Sequence, residues 1–329
     1  MRDALTLFAA LFAALFAFAL PAAAQDCGTG QRAFDHLGGT TCIPQAPLRI
    51  IGLHDQSVTL ALVELGAPVV GSHGRVADDG SLYLRSVDLL FGLDFQNSGI
   101  GYAGTWQAMD LEAMAAMQPD LIIGRAYDME AREQYEAIAP TVFIPDDDPD
   151  PLAFARGVAD AAGKLETWEA MLATYRANIE RGRKAFPQAD GATYSKIQMS
   201  DDNTFTVYAG YGGLTMVLQD LGFQRNPVAQ DMADRGVAWG EEASLEILPD
   251  LQADYLFDTY TIAYGDTLAD PRARFDAALP SWCDVLSACG EGRYIVVPRE
   301  ISTGFSFAQL NMLVHLVTTH AARAPAPSN

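Results

Sequence analysis

Short apolar runs alternate with helix-forming stretches in two blocks of this sequence, and one long helical stretch stands between the blocks. No other feature restricts the fold as much. In the first block, residues 50–53 read as a short buried strand, 57–65 as a helix stopped by Gly66, and 69–71 as the next strand. A helix over 110–117, a strand over 121–123, a helix around 130–138 and a strand over 142–144 continue the pattern. Such alternation implies an α/β lobe. After Asp146-Asp147-Asp148-Pro149 the texture changes. Residues 151–162 and 165–186 are helix-forming, punctuated by Gly163 and Pro187, and the longer stretch carries Leu165, Trp168, Leu172, Tyr175 and Ile179. Past Pro187 come strands over 196–199 and 205–208, a helix over 213–221, strands over 255–257 and 294–297, and a helix from about 307 to 322. The expected fold is α/β: two Rossmann-like α/β lobes joined by one long backbone helix.

The ends of the chain set its compartment. Arg2 precedes an apolar run over 4–20, then Pro21-Ala22-Ala23-Ala24, a helix breaker with small residues suited to a signal peptidase. The run is short for a stable span of about 20 residues. A cleavable signal over 1–24 and a periplasmic destination are expected. Cys27 follows Gln25-Asp26 rather than a small residue, so no lipid anchor is expected. Cleavage of 24 residues from 329 leaves 305, more than one core usually serves. The expected division is an N-terminal extension over 25–46, a first lobe over 47–150, a connecting helical segment over 151–186, a second lobe over 187–322 and a disordered tail over 323–329.

In an exported chain, Cys27 with Cys42 and Cys283 with Cys289 read as two local disulfides; neither pair has CxxC spacing and no His adjoins either. The formal net charge of −21 opposes binding to nucleic acid or an anionic membrane. An anion site in so acidic a protein has to be built locally from a few cationic side chains.

The two blocks share an echo. Asp110-Leu111-Glu112 leads to Gln118, Asp120 and an apolar strand; Ser244-Leu245-Glu246 leads to Gln252, Asp254 and another. This is a weak internal repeat. Asp110 and Ser244 suit N-caps, which puts Glu112 and Glu246 in first helical turns. A carboxylate there favours the helix dipole by ~0.3–1 kcal/mol, and from the residues alone that is the preferred explanation. The alternative is that the two acids face a partner carrying Arg or Lys.

Trp106-Gln107-Ala108-Met109-Asp110-Leu111-Glu112 with Gln118-Pro119-Asp120-Leu121-Ile122-Ile123 resembles the first-lobe signature of the iron–siderophore and vitamin B12 periplasmic binding proteins. Trp239-Gly240-Glu241-Glu242-Ala243-Ser244-Leu245-Glu246 is similar to the second-lobe signature of that family, most closely in ferrichrome-type hydroxamate binders. The resemblance runs from about 47 to 322. It implies a ligand in the cleft between two lobes bridged by a rigid helix, no catalysis, no resident cofactor, and a monomer that delivers its ligand to ABC importer permease subunits. It also implies that Glu112 and Glu246 match the paired glutamates that dock on permease arginines, which reverses the preference above.

Arg125 follows the strand over 121–123 and should emerge at the cleft end of a sheet; an Arg there resembles the one catecholate binders use against an anionic iron complex, although a solvated surface Arg is the plain alternative. Trp239 aligns with a ligand-packing tryptophan of hydroxamate binders. Trp106 and Tyr102 flank the first-lobe motif, and Tyr211, Tyr260 and Tyr264 sit near strand ends of the second; aromatics suit a large, partly apolar chelate. The sequence also departs from its relatives. No Arg stands near Tyr211-Gly212-Gly213 or Asp258-Thr259-Tyr260, where catecholate binders bring further arginines, and none within 101–105, where hydroxamate binders have one. One central Arg leaves hydroxamate, catecholate, citrate, cobalamin and haem open as ligands. His54, His73, Arg75 and Arg299 lie in predicted loops after strands and can supplement it, with ordinary loop polarity as the alternative.

Two rivals are weaker. A direct metal-ion receptor would rest on His54 and His73 alone, a thin site. A serine hydrolase would use Ser306 in Gly304-Phe305-Ser306-Phe307-Ala308, but the last Gly of G-x-S-x-G is missing, and His315 and His320 fall on the helix that follows. Neither G-x-G-x-x-G nor a P-loop is present.

Overall fold

The structure, a computed structural model, describes residues 26–77, 79–148 and 150–324. The expected leader over 1–24 lies outside the described residues, as does the expected tail over 323–329 except for its first two residues, of which Arg323 ends the closing helix. In the first half, five parallel strands run in the order Thr141–Ile144, Leu121–Arg125, Ile50–Gly52, Val69–Ser72, Gly101–Tyr102. The apolar residues of the first three of these strands are buried on both faces, as the near-continuous runs Ile50-Ile51 and Leu121-Ile122-Ile123 require.

An N-terminal hairpin, Gln31–His36 with Gly39–Pro44, has its strands paired antiparallel and is tied by the Cys27–Cys42 disulfide, Cα–Cα 5.6 Å. No strand is expected here from the sequence. Leu37 N–H donates to the Phe143 carbonyl (3.0 Å), and Phe143 N–H donates to His36 Nδ1 (3.1 Å). The hairpin therefore covers the edge strand Thr141–Ile144, which would otherwise present open pairing groups.

The second sheet departs from the expected pattern. Its order is Gly240–Glu242, Phe205–Tyr208, Thr193–Met199, Tyr255–Tyr260, Tyr294–Pro298, with Gln224–Arg225 also pairing to Thr193–Met199. Phe205–Tyr208 runs antiparallel to its neighbours on both sides. The cause is local: Ser200 N–H donates to the Thr204 carbonyl (3.0 Å) and Asn203 takes φ 62°, a tight turn that returns the chain on itself. Cys283 and Cys289 are joined between the last two strands, Cα–Cα 4.9 Å.

The sequence echo has a physical basis in its aspartates. Asp120 accepts from Leu48 and Arg49 N–H (2.7 and 2.9 Å), and Asp254 accepts from Thr193 N–H (2.7 Å). Each pins the start of the strand beside its own. The helices differ: Leu111–Ala116 is α, whereas Leu245–Leu251 is 3-10 and contains Pro249, which has no N–H to continue an α-helix.

Between the halves runs the helix Leu165–Ala185, 21 residues and about 30 Å long. Its buried Trp168 and Tyr175 meet Phe307 of the closing helix Phe307–Arg323 at ring distances of 5.6 and 6.4 Å. Direct bonds also join the halves: Gln56 Nε2 donates to Thr303 Oγ1 (2.9 Å) and Ser86 Oγ to the Glu300 carbonyl (3.0 Å). Among the described residues no helix is long and apolar enough to cross a membrane.

Candidate functional site

Because the first sheet is parallel, every strand delivers its carboxyl end to one edge. His54, His73, Tyr102, Arg125 and Pro145 all arrive there, two residues or fewer past their strands. Tyr260 and Arg299 end or follow parallel strands of the second sheet. Such edges are where open α/β sheets hold ligands. A cavity of about 400 Å³ spans the halves at this level, lined by His54, Gln56, Arg125 and Asp146 on one side and by Thr303, Phe305 and Ser306 on the other. A second of about 990 Å³, lined by Tyr211, Trp168 and Arg225, shares Asp148, Asp150, Pro151 and Phe305 with it.

Asp55 organises the polar floor. Fully buried, it receives Arg75 Nε (2.8 Å), Gln56 N–H (2.8 Å) and Arg85 N–H (3.2 Å). Burial pushes its carboxyl up, but His73, Arg75 and His54 outweigh that and hold it below the usual range. His54, Asp55 and His73 offer ligand atoms within 4.8 Å of one another. Their hydrogen bonds do not fit an ion. Asp55 N–H donates to His73 Nδ1 (2.9 Å) and Ser57 N–H to His54 Nδ1 (3.1 Å). A backbone amide only donates, so both neutral rings carry their proton on Nε2 and present N–H donors rather than lone pairs. Burial, with Arg125 next for His54, lowers His54 to about 3; burial lowers His73 to about 4, so both rings are neutral at physiological pH. His73 Nε2 is buried without a partner.

Arg125 ends its strand with Nε 3.6 Å from Asp128 Oδ2, and its own N–H donates to that oxygen (2.8 Å). Its Nε has no hydrogen bond, and its guanidinium lies 5.9 Å from the Tyr127 ring centre. Tyr127 meets Trp106 edge-on at 5.8 Å, and both are exposed. In the second half the exposed Trp239 stacks on buried Tyr211 at 4.9 Å, with Tyr208 edge-on to both. Beneath them Lys196 Nζ lies 4.5 Å from the Tyr211 ring centre and 3.3 Å from Asp258. Burial lowers Lys196 to about 8 and raises Asp258, whose other oxygen accepts from Tyr294 (2.7 Å).

The predicted residues thus fall into groups. His54, His73, Arg75 and Arg125 come together at the first sheet's edge; Tyr211 and Trp239 form one stack; Trp106 joins Arg125 through Tyr127. Tyr102 packs edge-on against Phe95 at 5.4 Å, and Tyr264 is exposed on the loop after Tyr260. Trp239 does not line either of the two cavities and reaches the larger one through Tyr211. Sequence reasoning missed Tyr127, Lys196 and Arg85. Tyr127 was within reach, two residues past Arg125, whereas a lysine inside a strand gives no sign of burial.

The fold has known counterparts. Residues 99–259 match the family described as periplasmic binding protein. Over that stretch the chain is similar to the periplasmic binding proteins. It is 26% identical over 265 residues to the iron(3+)-hydroxamate-binding protein FhuD of Bacillus subtilis (strain 168), covering 75% of this chain and 79% of that one. It is 27% identical over 235 residues to the probable siderophore-binding lipoprotein YfiY of the same organism, covering 69% and 68%. Among solved structures, Staphylococcus aureus SirA complexed with staphyloferrin B superposes with a TM-score of 0.71 at 22% identity, covering 89% of this chain and 99% of that one. The FhuD protein from S. pseudintermedius gives 0.69 at 20% identity, covering 91% and 100%. These structures share the two-lobed fold with its long helix.

Glu112 and Glu246 are both exposed in first helical turns, behind Asp110 and Ser244, whose side chains accept from Ala113 N–H (2.9 Å) and Glu246 N–H (3.3 Å). Ser306 is the N-cap of the closing helix, and its hydroxyl accepts from Gln309 N–H (3.2 Å) while Gln309 Oε1 accepts from Ser306 N–H (3.1 Å). His315 and His320 lie on that helix roughly 14 and 21 Å along its axis from Ser306, at 1.5 Å per residue.

Proposed function

We propose that this protein is a periplasmic receptor that captures a ferric siderophore, or ferric citrate, between its halves and delivers it to the permease of an ABC importer. The observation that carries the reading is the meeting of Arg125, an unbonded guanidinium nitrogen at a parallel-sheet edge, with a cavity walled by both halves. The relatives, named for iron–hydroxamate and siderophore binding, supply the ligand class. The exposed tryptophans, Trp106 and Trp239, provide rigid contact area for the organic shell, and Arg125, His54 and Tyr127 provide donors at the polar end. Capture needs no covalent step. The interlocked halves adjust slightly about the long helix rather than opening wide. Glu112 and Glu246 dock on permease arginines.

The mature chain is released into the periplasm by cleavage of the leader. Titration of the purified protein with ferric hydroxamates, ferric citrate and ferric catecholates tests the reading through tryptophan fluorescence. Saturable quenching by one class, weakened at least tenfold by Arg125→Gln, is the expected result. Silence toward all three, with a response to cobalamin or haem, would transfer the proposal to those ligands.

A further inference from the structure

Lys196 is a charged side chain inside the second core, 1% exposed, and capture of a ligand between the halves makes no direct use of it. On the strand Thr193–Met199 it stands opposite Tyr208 of the antiparallel neighbour, and Tyr208 stands opposite Gly240 of the next strand. The three form one rung across the sheet. A Cβ on Gly240 would come within 2.7 Å of Tyr208 Cδ1, so the glycine leaves the space that the Tyr208 ring fills. Trp239 directly precedes that glycine, and its carbonyl accepts from Ala209 and Gly210 N–H (2.9 and 3.0 Å), the residues that lead into Tyr211.

An ammonium has three N–H groups to place. Lys196 donates to the Ile197 carbonyl (2.9 Å) and to Asp258 Oδ1 (3.3 Å). Its remaining side meets aromatic rings, with Nζ 4.6 Å from the Tyr208 ring centre and 4.5 Å from that of Tyr211. Asp258 is held in turn by Thr259 N–H on the same oxygen and by the Tyr294 hydroxyl on the other, both at 2.7 Å. The far ends of the two rings are tied as well: the Tyr208 hydroxyl donates to Gln198 Oε1 (3.1 Å), and the Tyr211 and Thr259 hydroxyls are hydrogen-bonded at 3.0 Å.

Stability gives no reason for this arrangement. Taking an ammonium and a carboxylate out of water is costly, and well-packed apolar residues in their place are often at least as stable. What a buried cation supplies that a methyl group does not is direction, because it attracts the face of a ring and not its edge. Tyr208 and Tyr211 accordingly stand at 90° to each other with centres 4.8 Å apart. Tyr211 then stacks on Trp239 at 4.9 Å and 22°, and Tyr208 meets the same indole edge-on at 6.0 Å. Lys196, Tyr208 and Tyr211 are buried, whereas Trp239 at the end of this ladder is 42% exposed.

We infer that Lys196 is a positioning residue for ligand capture: from inside the core it holds Tyr208 and Tyr211, and through them it sets the plane in which Trp239 presents its indole to the organic shell of the chelate. The inference rests on the chelate-receptor reading above and adds to it a residue that touches no ligand. Each side chain immobilised on binding lowers affinity through lost rotamer freedom, and an indole fixed in advance avoids that loss.

The test replaces the pair together, Lys196→Met with Asp258→Leu, so that neither charge is stranded, and does so in the wild-type chain and in a Trp239→Phe background. The difference in emission between each protein and its Trp239→Phe counterpart isolates Trp239, and acrylamide quenching of that difference reads how freely the indole is approached. Replacing the pair should raise the quenching constant at least twofold. Affinity is measured by calorimetry with ferric citrate, a ferric trihydroxamate and a ferric catecholate. For whichever of these the wild type binds, replacing the pair should weaken binding at least fivefold where Trp239 is present and less than twofold in the Trp239→Phe background, the coupling expected of side chains that act through one another. Equal weakening in both backgrounds, or unchanged quenching, overturns the positioning role while leaving the receptor reading in place. Binding of none of the three by the wild type defeats the receptor reading, and the quenching arm still decides whether Lys196 holds the indole.

If the replaced pair does not fold, the wild type decides through pH. The groups that face Lys196 are Asp258, Tyr208 and Tyr211, with Tyr294 behind Asp258 and Arg299 acting on it by charge. Burial lowers Lys196 to about 8 and raises the three tyrosines above their ordinary value, so the lysine is the group that turns neutral as pH passes about 8. Quenching of Trp239 should rise through that point with the far-ultraviolet dichroism unchanged; a constant value from about pH 7 to about pH 9.5 overturns the inference.

Discussion

Glu64, on the first helix of the first half, accepts hydrogen bonds from the backbone N–H of Phe307 (2.9 Å) and Ala308 (2.5 Å) at the start of the closing helix of the second half. A carboxylate from one half thus satisfies free amide donors, and the positive dipole end, of a helix in the other. The contact lies where Trp168 and Tyr175 of the connecting helix also meet Phe307, so polar and apolar links between the halves converge on one residue.

Glu64→Ala should cost about 1–2 kcal/mol, the usual penalty for removing a helix N-terminal acceptor, read as a lower urea midpoint. Burial raises the Glu64 carboxyl above its ordinary value even against the two amide bonds. The folded state therefore holds the proton more tightly than the unfolded state, and this group's contribution to stability falls as pH rises from the unfolded value of about 4.5 through the raised one. The Ala variant should lack that slope. An unchanged pH profile between pH 4 and 7 would show that Glu64 is not the group responsible.

His54 and His73 work in the opposite direction. Their folded values, about 3 and about 4, lie below the unfolded 6.5, so the unfolded chain takes up protons first as pH falls. Stability from these two rings is complete above pH 6.5 and is lost on acidification toward pH 4. Chemical-denaturant midpoints measured from pH 7.5 to 4 should decline through this window, and His73→Asn should flatten the decline. An equally steep decline in the variant would assign the loss elsewhere.

Lys196 and Asp258 are both buried, 1% and 0% exposed, and 3.3 Å apart. Removing one member strands the other, so Lys196→Met should destabilise by about 3–5 kcal/mol. The double variant Lys196→Met with Asp258→Leu should recover much of that, since apolar replacement of a buried pair is often neutral. A thermal melt of the three proteins checks the pattern; a double variant as unstable as the single one would contradict it.

Charge reversal at the exposed acids, Glu112→Lys with Glu246→Lys, should leave chelate affinity unchanged and abolish uptake in cells that depend on this receptor. A growth assay with the ferric chelate as sole iron source measures the outcome. Normal growth would remove the docking role from these two residues.

Much of this molecule follows from neighbours in the chain. Strand and helix alternation, the long helix at Leu165–Ala185, the N-caps Asp110 and Ser244 and the paired aspartates Asp120 and Asp254 are set by apolar periodicity and by side chains that bond backbone a few residues away or across one strand. Arg125 was legible for the same reason, since the end of a parallel strand is an address written locally. The antiparallel return at Phe205–Tyr208 was not expected from the sequence, and neither was its pairing with Gly240–Glu242.

Only the tertiary structure decided what meets across the halves. Arg85 and Arg299 stand 214 residues apart for their neighbours Ser86 and Glu300, and Glu64 stands 243 from Phe307. No periodicity links such positions. Their contact depends on how two independently patterned cores settle around one helix.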